Sequence, residues 1–193
     1  MARHKEFDRD EVLQRAMEVF WARGYESTSM QDLVEHMGIN RQSLYDTFGD
    51  KHSLFLQALD RYEDVETRKI LELMAKPGSV KKAFRKLFSA VIEGPCANEQ
   101  PRGCLMNNSM SELATRCQAT AAKTVRHMRT IEEAFYRALL RGKKDGELKN
   151  NRDPRAVARF LYISLQGLVL TAKATPDRKA LKDVVKVTLS LLD

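Results

Sequence analysis

Arg41, Gln42 and Ser43 stand side by side, with Tyr45 and Asp46 just behind them. If this stretch is helical, Leu44 and Phe48, four residues apart, take the buried side and leave the other five outside. That outer set suits the reading of bases. An arginine can bond O6 and N7 of guanine and a glutamine N6 and N7 of adenine, each pair giving about 1–3 kcal/mol of discrimination. Other chemistry has little to stand on. No glycine-rich loop is placed to cradle a phosphate, no carboxylate pair forms an acid–base motif, and Cys104 with His127 matches a nucleophile and its base in residue type alone. Cys96, Cys104 and Cys117 contain no CxxC pair and do not cluster with His4, His36, His52 or His127 at a zinc-like spacing. Neither an enzyme activity nor a metal or other cofactor is expected.

The elements that must position the reading residues follow from caps and punctuation. Asn40 is a good N-cap for the helix that carries them. Before it, Thr28 or Ser29 can cap a short helix with Met30, Leu33, Val34 and Met37 as its apolar side, stopped by Gly38. Two short helices joined through Gly38-Ile39 are the signature of a helix-turn-helix, whose second helix offers its N-terminal end to the major groove. A first helix is expected over 8–23, with Val12, Leu13, Ala16, Met17, Val19 and Phe20 on one side and Gly24 at its end. A fourth starts near Ser53 and runs to about Ala75. Beyond Pro77 the spacing predicts helices over 79–93, 104–115, 118–144, 154–173 and 177–192, with Asp153-Pro154 and Thr175-Pro176 both reading as N-cap-then-proline starts. No alternation is long enough for a strand, so the fold class is all-α.

Charge sharpens the picture. The chain has 193 residues and a formal charge of +7, from 33 Lys and Arg against 26 Asp and Glu. The first sixty residues hold 7 basic and 11 acidic residues, net −4, and the remainder 26 and 15, net +11. A reading element in the first sixty must therefore act through a few placed side chains rather than bulk charge. With 43% hydrophobic and 31% charged residues, the composition is that of a soluble globular chain. The longest uncharged stretch, Phe160 to Ala172, falls short of the roughly 20 residues that span a bilayer. No apolar segment near Met1 reads as an export signal, and no membrane partner is expected; a cytoplasmic location is.

The stretch Thr28 to Leu59, together with Phe20, Gly24-Tyr25, Gly38, Leu44-Tyr45, Phe48 and Lys51 in that order, resembles the DNA-binding domain of the TetR family (TetR/AcrR-type) of transcriptional regulators. The resemblance covers about residues 7 to 65. It implies phosphate contacts from Thr28, Tyr45 and Lys51, and base reading from Arg41, Gln42 and Ser43. The family often has glycine where Gln42 stands and histidine or tyrosine where Thr47 stands; the resemblance thus implies that Gln42 reaches a base that most relatives leave untouched, and it gives no support to a backbone contact at Thr47. Arg3 and Lys5 read either as an arm on the DNA or as a solvated tail, and Trp21 as packing. The implied organisation is an N-terminal three-helix helix-turn-helix domain over 6–66, with the motif itself at about 28–48, and a larger helical ligand-binding and dimerisation domain over 78–193.

For that second domain the resemblance implies a homodimer built on the last two long helices. The segment around Phe160 to Thr171 is apolar almost all round, which calls for burial on two sides. Leu161, Ser164, Leu168, Thr171, Val184, Val187 and Leu191 are the expected interface. Residues 101–110 resemble a stretch found in one subset of the family near the ligand pocket, and Phe88, Cys104, Met106, Met110, Phe135, Tyr162 and Gln166 are the candidate lining. Cys104, near a helix start and Arg102, suits reaction with an electrophile, and Cys96 is placed to resolve it. The function so implied is a ligand-responsive repressor, bound as a homodimer to a palindromic double-stranded DNA operator and released by a small molecule or reactive electrophile. The rival reading is a helical interaction module that has lost DNA binding.

Overall fold

The computed structural model describes residues 7–93, 102–175 and 177–193. Its α-helices in chain order are α1 (Arg9–Arg23), α2 (Met30–Met37), α3 (Arg41–Phe48), α4 (Lys51–Tyr62) and α5 (Arg68–Ala75). These are followed by α6 (Val80–Glu93), α7 (Leu105–Leu113), α8 (Gln118–Lys144), α9 (Pro154–Ala174) and α10 (Arg178–Leu189). No strand occurs among the described residues. The N-terminal side chains suggested as a DNA arm, Arg3 and Lys5, and the suggested resolving Cys96 lie outside the described residues.

The chain divides into two compact units, and the division is not contiguous. The first takes the chain up to Val65 together with Leu105–Thr124, and the second Glu66–Cys104 with Val125–Asp193. A simple split into 6–66 and 78–193 does not convey this, because α7 and the first turns of α8 group with the N-terminal helices.

In the first unit, α1 buries the six residues that its spacing marks, from Val12 to Phe20. Phe20 and Phe55 meet edge to face at 5.1 Å, and Tyr25 lies 4.9 Å from Phe55. Trp21 packs edge-on against Tyr62 at 5.1 Å, the packing role its position suggests. The cap of α2 is Ser29, not Thr28. Ser29 accepts from the Asp32 N–H while the Asp32 carboxylate accepts from the Ser29 N–H, a reciprocal capping box. The Ser29 hydroxyl, then the Ser29 N–H and then Arg23, all donating to the Asp32 carboxylate, bring its carboxyl down to about 2. Asp50, accepting from the Ser53 N–H, caps α4 two residues earlier than expected.

The single helix expected to run to Ala75 is interrupted by a π-helical turn, Glu63–Thr67. Its wider i→i+5 bonding adds a residue to the turn, a change that apolar spacing does not reveal.

The core of the second unit includes Phe84, Phe88, Phe135, Leu161, Tyr162 and Leu165, with Phe84 and Phe135 edge to face at 5.0 Å. Glu147 caps α6 from 67 residues away, accepting from the N–H groups of Val80 and Lys81 and from the Ser79 hydroxyl. Asp153 caps α9 as expected, with Pro154 in its first turn. The start of α10 departs from expectation. Asp177 accepts from the Lys179 and Ala180 N–H groups and is the cap, whereas Thr175 closes α9 by donating its N–H to Thr171. A carboxylate satisfying two helix-start donors outcompetes a threonine cap.

Candidate nucleic-acid interface

Helix α3 is placed by its two apolar residues. Leu44 and Phe48 are 0% and 3% exposed, and burying each stabilises the unit by about 1.5–3 kcal/mol. That anchoring decides which face stays in water. Arg41, Gln42, Tyr45 and Asp46 are exposed and Ser43 is half-buried. Asn40 closes the start of the helix by accepting from the Ser43 N–H at 2.8 Å. The exposed residues at this end therefore sit beside the positive end of a helix dipole, which favours phosphate nearby.

The turn before α3 depends on Gly38. It adopts φ 69° and ψ 27°, the left-handed region, and donates its N–H to Val34 O to end α2. A side chain there would be strained in backbone and would also crowd Arg15, whose Nη1 lies 3.1 Å from where a Cβ would be.

Within the face, the side chains are partly pre-arranged. The Arg41 guanidinium lies 5.8 Å from the Tyr45 ring centroid, and the Gln42 amide donates to Asp46 at 2.8 Å. At the start of α4, the Lys51 Nζ lies 4.3 Å from the Tyr25 ring centroid. This contact holds the ammonium while leaving its donors available.

Thr28 is placed differently from the expected phosphate contact. Its side chain is buried and its hydroxyl donates to Gly24 O at 2.6 Å, closing the α1–α2 loop on itself. Buried hydroxyls take the partner at hand, here the orphaned carbonyl at the end of α1. Thr47 has a buried hydroxyl with no hydrogen-bond partner among the described residues.

Several groups behind this face carry no local sequence signal. The Glu112 carboxylate on α7 accepts from the backbone N–H of Tyr25 at 3.0 Å and of Glu26 at 2.7 Å. The His52 Nε2 lies 3.1 Å from the Cys117 sulfur. The Thr120 hydroxyl and N–H donate to the same sulfur, and Thr120 first, then His52, bring the Cys117 thiol down to about 7. Only Gly24 hinted at the first of these, since a Cβ there would lie 3.1 Å from Glu112 Oε2.

The candidate effector residues are divided. Met106 and Met110 fall in the first unit, and Phe88, Cys104, Phe135, Tyr162 and Gln166 in the second. Phe88, Phe135 and Tyr162 share one buried cluster. Burial, then the neighbouring Cys104, raises the Tyr162 hydroxyl to about 12 against an opposing hydrogen bond with Gln166. The Gln166 Oε1 is buried with no hydrogen-bond partner among the described residues.

Two residues of the expected dimer face lie elsewhere. Leu161 and Leu168 are 0% and 3% exposed in the single chain and belong to its own core. The apolar face of α9 left in water is instead Phe160, Ile163 and Leu170, three or seven residues apart on the opposite side, with Gly167 between them facing open space. Val184 and Val187 extend an exposed apolar face on α10, Thr171 is also exposed, and Ser164 and Leu191 are half-buried.

A capped two-helix motif with a polar, exposed second helix defines a helix-turn-helix DNA-binding protein. Residues 12–58 match the bacterial regulatory proteins of the tetR family, and residues 80–188 the tetracyclin repressor-like C-terminal domain. The HTH-type transcriptional regulator YezE of Bacillus subtilis (strain 168) is 43% identical over 194 residues, covering 100% of each chain. The HTH-type transcriptional repressor ComR of Escherichia coli (strain K12) is 32% identical, over 98% of this chain and 90% of its own. A solved structure of the TetR family transcriptional regulator CifR, a cysteine mutant complexed with 26-base-pair double-strand operator DNA, is similar at a TM-score of 0.82 and 32% identity, covering 100% of both chains.

The chain belongs to the TetR family. Both matched regions and these relatives place it among the HTH-type transcriptional regulators of that family. No helix among the described residues is long and apolar enough to cross a membrane.

Proposed function

We propose that this chain represses transcription as a homodimer whose two α3 helices read the halves of a palindromic operator, about one helical turn or a multiple of it apart. Arg41 and Gln42 read base edges with Ser43 beside them, while Tyr45 and Lys51 bind phosphates and fix the register. The observation that carries this reading is the exposed polar row Arg41, Gln42 and Tyr45 beside a capped helix start. A module that had lost DNA binding would have no need of that row.

Thr28 enters the reading through its loop: its hydroxyl serves Gly24, and its role is to shape the approach to α2. Dimerisation uses Phe160, Ile163, Gly167, Leu170 and Thr171 of α9 with Val184, Val187 and Leu191 of α10, with Ser164 at the edge. The effector enters the second unit, where Tyr162 and Gln166 offer polar groups among Phe88 and Phe135. Cys104 adds a group that an electrophile can modify. Bound effector favours the form that does not hold the operator, since a ligand shifts only an equilibrium whose two states it binds unequally.

Selection of bound fragments from random double-stranded DNA tests the reading. A twofold-symmetric consensus is the expected result, and Arg41→Ala and Gln42→Ala should each relax it at particular positions. Recovery of no consensus, or an unaltered one in both variants, would remove the proposal.

A further inference from the structure

The α1–α2 loop is gripped from behind. Glu112 sits on α7, and its two carboxylate oxygens each accept one backbone N–H, from Tyr25 at 3.0 Å and Glu26 at 2.7 Å. Gly24 makes room for it, because a Cβ at that position would press to 3.1 Å from Oε2. Arg116 adds a looser tie, 4.0 Å from the Glu26 carboxylate. The two N–H groups belong to the loop just past the end of α1, outside its helical ladder, and a carboxylate is a strong acceptor for such a pair.

What this grip holds matters for DNA. The Tyr25 side chain stacks on Phe20 at 6.2 Å and lies 4.9 Å from Phe55, and on its other side carries the Lys51 ammonium at 4.3 Å. Core rings thus fix one end of Tyr25 and Glu112 the other.

We propose that Glu112 is a positioning residue for operator binding: by holding the Tyr25 and Glu26 backbone it fixes the ring on which Lys51 rests, and with it the phosphate contact at the start of α4. The proposal rests on the reading of Lys51 as a phosphate contact. It makes α7, distant in sequence from every reading residue, a determinant of operator affinity. It also carries an unusual sign. Glu112 is an anion in a unit that binds a polyanion, so if charge alone mattered its removal would tighten binding. Positioning demands the reverse.

The test uses the full-length protein and the DNA duplex recovered by selection, with Kd measured across a salt series. Glu112→Ala should raise Kd about tenfold, and Glu112→Gln, which keeps one carbonyl acceptor, about threefold. The slope of log K against log salt should become shallower by about one unit, as it should in Lys51→Ala, because each phosphate contact contributes about that much. In the double variant Glu112→Ala with Lys51→Ala the two losses should not add, since they remove the same contact. A purely structural role would lower the melting temperature without changing the slope. If Glu112→Ala does not fold, Glu112→Gln decides the matter by its slope and its non-additivity with Lys51→Ala. Unchanged or tighter binding, an unchanged slope, or additive losses would each overturn the proposal while leaving the Lys51 contact standing. If Lys51→Ala itself leaves the slope unaltered, the phosphate reading falls and the positioning role with it.

Discussion

Gln42 donates its side-chain amide to the Asp46 carboxylate one turn further along α3, at 2.8 Å. The pair joins the group proposed to read a base to an anion on the same exposed face. On that proposal Asp46 orients the amide before DNA arrives and repels phosphates that approach in the wrong register. Gln42→Ala should therefore erase about 1–3 kcal/mol of preference at one base pair per half-site. Asp46→Ala should strengthen binding to random duplex while narrowing the gap between operator and random DNA. Competition titrations with single-mismatch duplexes measure both, and an unchanged ranking of mismatches in either variant would count against this division of labour.

Thr28 should behave as a loop residue. Replacing it by valine removes the hydroxyl that serves Gly24 O and is expected to cost about 1 kcal/mol of stability. The salt slope of operator binding should stay where it was. Chemical denaturation and a salt series read the two effects separately, and a slope reduced by a full unit would restore Thr28 to the phosphate contacts.

Ile163 and Val187 are 68% and 69% exposed in the single chain, an arrangement that leaves large apolar side chains without cover. The double variant Ile163→Glu with Val187→Glu should sediment as a monomer at micromolar concentration. It should also melt within a few degrees of the parent, because neither residue is part of the chain's own core. Persistence of the dimer would place the contact on another face.

Cys117 should react with iodoacetamide on a profile centred near pH 7, well below the ordinary thiol value of 9.0. Thr120 stabilises the thiolate most, by its hydroxyl and its N–H, and His52 adds to it. A folded value below the unfolded one means that the thiolate's contribution to stability is complete above about pH 9 and is lost as the pH falls through about 7. Thr120→Val should move the alkylation midpoint upward more than His52→Ala does. Mass-spectrometric mapping of the modified cysteine distinguishes Cys117 from Cys104, and a midpoint near 9 in the parent would contradict the geometry.

Much of the first unit is legible from short-range rules. Leu44 and Phe48 define the inner side of α3 by spacing alone, Asn40 its start and Gly38 the turn before it, and each occupies the expected place. Caps with two good candidates are harder. Thr28 and Ser29 are adjacent and chemically alike, and the reciprocal partner Asp32 and the burial of Thr28 separate them only in three dimensions. The same limit displaced the start of α10 from Thr175 to Asp177. On α9 the apolar character runs all round, so spacing could not say whether Leu161 and Leu168 or Ile163 and Leu170 turn inward; packing against the rest of the second unit decides it. Glu112 and the His52–Cys117 pair were out of reach for a different reason. They depend on contacts between residues 87 and 65 positions apart, and no periodicity extends that far.

The interleaving of the first unit with a later part of the chain has a consequence for synthesis. A ribosome that has passed Lys51 has made every proposed base-reading and phosphate-binding residue, yet the carboxylate behind the α1–α2 loop comes 87 residues after Tyr25. The head is completed only when α7 has emerged and folded back, by which time Phe88 and much of the second unit have already been translated. A product ending before Leu105 would lack Glu112 and, on the positioning role proposed for it, would leave the α1–α2 loop without the carboxylate that accepts its two N–H groups.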